Sequence, residues 1–285
     1  MKKRRIYREE QIVKGVLAFF TLLIVLVLLS ILGGIVLKGL PALSWEILTQ
    51  VPKGGYYFGR EGGILNAIIG SLYLAVGASL LAGLISIPAA LFMHTYLASH
   101  PKAQRRVRLC LDVLWGVPPI VYGAFGFSLM LYLGWHASLL AAIFTVSLLI
   151  SPVMIRVMDE SLQHVPGGMY EAALALGFFK GETGFKFLFR QALPGVATAF
   201  LMALGKGIGD TAAVLFTAGY TDYIPERLTE PAATLPLAVF FQLSSPIPEV
   251  KARAYVAALV LTFFILLISI GSRLLSKQLS KNRIQ

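Results

Sequence analysis

The chain has 285 residues, 57% of them hydrophobic and 14% charged, well above the roughly 45–50% apolar content of an ordinary soluble domain, so it is an integral membrane protein. Its single cysteine, Cys110, excludes an intrachain disulfide and a cysteine-held metal cluster, and the four histidines show no ligand spacing. The net charge of +11 lies at the ends of apolar runs instead of on a polar basic face, which argues against a nucleic-acid partner.

Residues 15–37 follow a basic segment and carry no charge over 23 positions, enough to cross a bilayer that needs roughly 20. A signal peptide has a shorter apolar core of about 7–15 residues, so this is read as an uncleaved span. Residues 38–62 form a polar, Gly- and Pro-rich external loop whose aromatics, Trp45, Tyr56, Tyr57 and Phe58, suit a membrane interface. A second span runs from 63 to about 93 and carries Pro88, where the missing N–H permits a kink. A basic loop, HPKAQRRVR at 100–108, precedes a third span at about 109–133, interrupted by Gly116-Val117-Pro118-Pro119. Within a membrane such a break survives only where protein or a water-filled cavity satisfies the freed carbonyls. The fourth span ends near Val157. A polar loop runs from Asp159 to about Gln191, spans five and six cover about 192–218 and 254–272, and an apolar stretch at 232–243 between them has no clear placement.

Six spans put both termini on one side. On that face, in segments 1–14, 100–108, 156–191 and 273–285, stand 18 of the 25 Lys and Arg, against six on the other. The excess marks the cytoplasm, so both termini and the loop at 159–191 are inside.

Three features carry the chemistry. Inside the loop, residues 170–176 form an Ala-rich helix former ended by Gly177, a C-cap signal. Such a helix can transmit motion from a cytoplasmic engine: Glu171 offers a charged contact, Ala172 and Ala173 permit close approach, and Gly177 allows the turn. A plain interfacial helix would account for the segment alone. Second, Lys206 and Asp210 lie inside an otherwise apolar span, where each charge costs at least about 2.5–3.5 kcal/mol on insertion scales. Either the two neutralise each other at i and i+4, or Lys206 faces a polar solute with Asp210 or Thr211 tuning it. Third, Arg156 ends span four, placed to line a pathway or to snorkel to headgroups. Gly205-Lys206 is not a phosphate-binding loop, since Phe200 and Gly207 occupy positions where that motif needs Gly and Ser or Thr.

The spacing of Glu171-Ala172-Ala173, Gly177 and Leu193-Pro194 resembles the EAA loop of ABC importer permeases. More specific are GVPPIVYGAFG at 116–126, SPVMIRVMDESLQHVP at 151–166, GKGIGDTAAVLFTAG at 205–219 and LPLAVFFQLSSPIPE at 235–249, which together resemble the PstA-type permease subunits of phosphate ABC importers. The resemblance covers residues 62–272. It implies an all-α membrane protein with the type I importer permease fold: a first helix and external loop to residue 62, a five-helix permease core at 63–272, and a cytoplasmic tail at 273–285. It also implies half of a translocation pathway for inorganic phosphate, with a second homologous permease, two cytoplasmic ATP-binding subunits and an extracytoplasmic phosphate-binding protein as partners. This chain would hold no cofactor and do no catalysis, the ATP being bound by the ATPase subunits. Glu171, Ala172, Ala173 and Gly177 would dock on the ATPase, and Lys206, Asp210, Thr211 and Arg156 would line the path. That family usually has Arg at 206 and Glu at 210; the exchange to Lys and Asp leaves another oxyanion, such as molybdate, tungstate, sulfate or phosphonate, as the alternative solute.

Overall fold

The computed structural model describes residues 2–53 and 62–280, and every ordered element among them of more than a single bridge is helical. α1 (Lys2–Gly39) is one unbroken helix. Residues 10–31 are exposed on every side, which hydrocarbon tolerates as well as it tolerates lipid itself. Contact with the remainder begins at its end, where Lys38 Nζ donates to Tyr255 Oη at 3.2 Å and sits 5.0 Å above that ring. The expected external loop contains a helical turn, α2 (Trp45–Thr49), started by Ser44, whose Oγ accepts from the Ile47 N–H at 3.3 Å. Trp45 is exposed; Tyr56, Tyr57 and Phe58 lie outside the described residues.

α3 (Leu65–Thr95) is the central helix. Its buried face is a stripe of small residues, Ala67, Ser71, Ala75, Ala78, Ala82, Ser86 and Ala90, at the three- and four-residue spacing that lets helices approach closely in a membrane. α4 (Pro101–Gly116) and α5 (Pro119–Tyr132) meet at a 93° bend. The expected basic loop is thus the first turns of a helix opened by Pro101. The bend has a local cause: Pro118 and Pro119 withhold two N–H groups and force Val117 into an extended conformation. At the break the Leu114 carbonyl accepts from the Val117 N–H at 3.2 Å and from Tyr122 Oη at 2.9 Å, the satisfaction a break at membrane depth requires. With 14 residues, α5 reaches about 21 Å, short of a hydrocarbon core of about 30 Å.

α6 (Leu139–Gln163) packs along α3, joined by Ser86 Oγ donating to the Ser151 carbonyl at 3.3 Å. α7 (Gly167–Ala175) and α8 (Lys180–Thr183) follow, and a π-helical turn at Gly184–Leu188 runs α8 into α9 (Phe189–Gly209). The fifth span therefore starts about a dozen residues before its expected position at 192 and stops at Gly209 instead of 218. On α9 a second small-residue stripe, Ala192, Val196, Ala199, Ala203 and Gly207, is buried and packs against α6, α11 and α3. Where Gly83 faces α9, the Phe200 ring occupies the space a Cβ would need.

After α9 the chain is irregular to residue 234 and seals the start of α6. The Leu139 and Leu140 N–H groups donate to the Glu230 and Leu228 carbonyls at 2.8 and 2.7 Å, and the Ser138 N–H to Thr217 at 2.8 Å. Unpaired helix-start donors and loop carbonyls are thus satisfied together. The unplaced apolar stretch is α10 (Leu235–Gln242), whose residues 235–238 are buried. The Leu235 N–H donates to Ser71 Oγ at 2.7 Å, and the Ala233 carbonyl fills the place of a Cβ on Gly70. Eight residues extend only about 12 Å, so α10 is an enclosed piece and not a crossing. α11 (Pro248–Ser280) closes the bundle and continues past the expected end at 272. Among the described residues five helices are long and apolar enough to cross a membrane, or six with the bent α4–α5 pair counted as one.

Candidate coupling surface and translocation site

α7 lies at the end of the bundle where α3 finishes and α6 turns away. Tyr170 ties it there, its Oη donating to the Thr95 carbonyl at 3.1 Å. The C-terminus closes as the spacing predicts. Gly177 takes φ +86°, its N–H donates to Leu174 at 3.0 Å, and the Phe178 N–H donates to Ala173 at 3.2 Å, the paired bonds of a Schellman motif. The four expected docking residues divide. Glu171, Ala172 and Gly177 are exposed, whereas Ala173 is 3% exposed and packs inward, so it supports the helix instead of meeting a partner. Beside the exposed three stand Leu176 and Phe179, 77% and 78% exposed, an apolar pair next to a carboxylate on a surface outside the bundle core.

Directly behind α7 is a charge cluster that the sequence does not disclose. Asp159, fully buried, accepts from His94 at 2.7 Å, from Arg108 Nε and Nη2 at 2.9 Å each, from Arg156 at 3.2 Å and from Gln163 at 3.1 Å. Arg156 also pairs with Asp112 at 3.3 Å. One carboxylate thus ties the ends of α3 and α6 to the middle of α4 next to the Tyr170 anchor. Arg156, a pathway candidate by sequence, has both its acidic partners within the fold and is held to α4 and to its own helix. His94, Arg108 and Asp159 are 14 to 65 positions apart in the chain, and their only sequence signal is a carboxylate following a span.

Lys206 and Asp210 do not share a helical face. α9 ends at Gly209, and Asp210 adopts an extended conformation (φ −83°, ψ 128°), its carboxylate accepting from the Ala213 N–H at 2.9 Å. Among the described residues no ion pair joins the two, and each acts on the other only through space. Asp210 instead caps the turn that follows, and Lys206 is left half-buried in the last turn of α9, where a helix C-terminus favours a cation. Thr211 opens onto a cavity of about 540 Å³ shared with Pro236, Val239, Phe240 and Ser244 around α10. Lys206, Asp210 and Thr211 therefore follow one another at the junction of α9 with the irregular segment, while Arg156 belongs to the Asp159 cluster.

Residues 83–282 match the family of binding-protein-dependent transport system inner membrane components. The chain belongs to that family. Among its relatives, the phosphate transport system permease protein PstA of Xylella fastidiosa strain 9a5c is 35% identical over 87% of this permease and 84% of the relative. The PstA of Haemophilus influenzae is 34% identical over 86% and 85%. Two solved structures share the fold. An inward-facing methionine ABC transporter, MetNI, aligns with TM-score 0.60 at 18% identity, covering 76% of the permease and 95% of that chain. A bacterial alginate ABC transporter in complex with alginate pentasaccharide-bound periplasmic protein aligns with TM-score 0.60 at 11% identity over 96% and 99%. The family membership and these folds bear out the all-α type I importer permease architecture read from the sequence.

Proposed function

We propose that this permease forms half of the translocation pathway of an ATP-driven importer of inorganic phosphate. The observation that carries the proposal is its identity with PstA proteins along most of both chains, 35% over 87% of this one. The working complex pairs it with a second homologous permease, two cytoplasmic ATPase subunits and an extracytoplasmic phosphate-binding protein. It sits in the bacterial inner membrane with both termini and α7 on the cytoplasmic side, an orientation supported by the 18-to-six distribution of Lys and Arg. The division is a short first unit to residue 62, the core at 63–272 and a cytoplasmic tail.

In this reading Glu171, Ala172, Leu176 and Phe179 dock on the ATPase, Ala173 and Gly177 hold the helix in shape, and Tyr170 passes movement to the end of α3. ATP binding by the partner closes the ATPases and turns the permeases outward. The binding protein then delivers phosphate, and hydrolysis resets the pair. Lys206 supplies the cation that stabilises the anion at membrane depth, with Asp210 and Thr211 shaping the exit from α9. Uptake of labelled phosphate by proteoliposomes holding the four-component complex tests the proposal. Phosphate uptake that needs ATP and this permease is the expected outcome; uptake of molybdate, tungstate, sulfate or phosphonate in its place would assign the alternative solute.

A further inference from the structure

At the end of the bundle opposite α7, a cavity of about 480 Å³ opens between residues 44–53 and the first turns of α11, lined by Ser44, Glu46, Gln50, Lys53, Glu249 and Arg253. Of the four charged residues among its described lining, Glu46, Lys53 and Glu249 are exposed and water-screened. Arg253 is 7% exposed. Among the described residues it makes no hydrogen bond and no ion pair, and Glu249, one turn earlier on α11, acts on it through space without touching it.

A guanidinium carries five N–H donors and stays charged, and leaving such donors buried and unmet is expensive. The sealed, unpartnered side-chain polar atoms among the described residues are Ser79 Oγ and Gln242 Oε1. The Arg253 nitrogens are not among them, so they reach the cavity. A buried cation with no hydrogen bond or ion pair among the described residues, fixed by a helix and facing a half-open cavity with polar side chains on its rim, is a receptor for negative charge. Its planar fork fits two oxygens side by side. Ser44, Gln50 and Lys53 add donors at the rim, and the two rim carboxylates weaken the field for anything bearing many charges.

We propose that this cavity is an anion site, separate from Lys206, that takes one oxyanion group in a bidentate contact with Arg253, of the kind presented by inorganic phosphate or by a carboxylate. That it opens to the extracytoplasmic side rests on the orientation proposed above.

Because Cys110 is the single native cysteine, the site can be read by thiol chemistry in the full complex. Ala252→Cys, at the cavity wall, in a Cys110→Ser background is labelled by anionic and by cationic methanethiosulfonates in vesicles of each orientation. Relative to Arg253→Gln, the Arg253 cation favours the anionic reagent by roughly five- to tenfold, a preference that Arg253→Lys retains. Millimolar phosphate slowing the anionic reagent identifies free phosphate as the occupant; slowing by acetate but not phosphate identifies a carboxylate. An anionic preference unchanged by Arg253→Gln, no slowing by either anion, or no labelling from either side overturns the proposal. Labelling from the α7 side alone would overturn the orientation and leave the site standing.

Discussion

Arg108 holds Asp159 through two parallel hydrogen bonds, Nε to Oδ2 and Nη2 to Oδ1, each 2.9 Å. The two residues are 51 positions apart, and the fork joins α4 to α6 one turn before α6 ends. A bidentate pair of this kind fixes orientation as well as distance.

Asp159→Ala leaves Arg108 and Arg156 without their shared counter-ion and removes the partner of His94 and Gln163. Deleting one side of a buried ion pair costs about 3–5 kcal/mol; the partial exposure of both arginines, 27% and 35%, places the loss at the lower end. Thermal unfolding of the purified permease in detergent should show a midpoint lowered by several degrees. Asp159→Asn, which keeps acceptor and shape, should lose less.

Gly177 holds φ +86°, a region that costs a residue with a Cβ roughly 1–2 kcal/mol. Gly177→Val should unwind the Schellman turn and move Leu176 and Phe179 off the docking surface. ATPase stimulation by the assembled complex is expected to drop while the isolated permease melts within about 2 kcal/mol of the parent. Unchanged stimulation would mean that the turn does not set the contact.

Glu171 is exposed and among the described residues forms no side-chain hydrogen bond or ion pair, so Glu171→Lys should change permease stability by less than about 0.5 kcal/mol. The charge reversal should instead reduce recovery of the ATPase by affinity capture of the permease. Equal recovery from both proteins would remove Glu171 from the interface.

Lys206→Ala should lower phosphate uptake by roughly tenfold, the consequence of about 1.4 kcal/mol lost in the path, with assembly intact. Since Asp210 caps the following turn instead of pairing with Lys206, a double-mutant cycle between the two should give a coupling below about 0.5 kcal/mol. A coupling well above that would restore the ion-pair account, and unchanged uptake in Lys206→Ala would make its role structural.

Membrane class, most helices and the α7 motif were legible because they depend on local quantities. Apolar length announces a span, and a glycine after an Ala-rich turn announces a stop, as Gly177 bears out. The limits of α9 were not legible. Residues 180–191 look polar enough for a loop yet are helical, and residues 210–218 look apolar enough for a span yet turn away, because packing against α3 and α6 overrides average hydropathy. The burial of Ala173 was not legible for a similar reason: composition cannot say which side of a nine-residue helix faces inward.

The amino-acid order alone determined that this chain is helical, crosses a membrane repeatedly and carries an Ala-rich helix with a glycine stop, since bilayer thickness and helix geometry convert apolar runs and small residues directly into elements. Only the tertiary structure decided that Arg108, His94 and Arg156 converge on Asp159, that Asp210 turns from Lys206 to cap the turn at Ala213, and that α10 buries its first turn without crossing. Those outcomes depend on contacts between residues far apart in the chain, and hydrocarbon, which offers no water to stray polar groups, makes each such contact obligatory once the helices have packed.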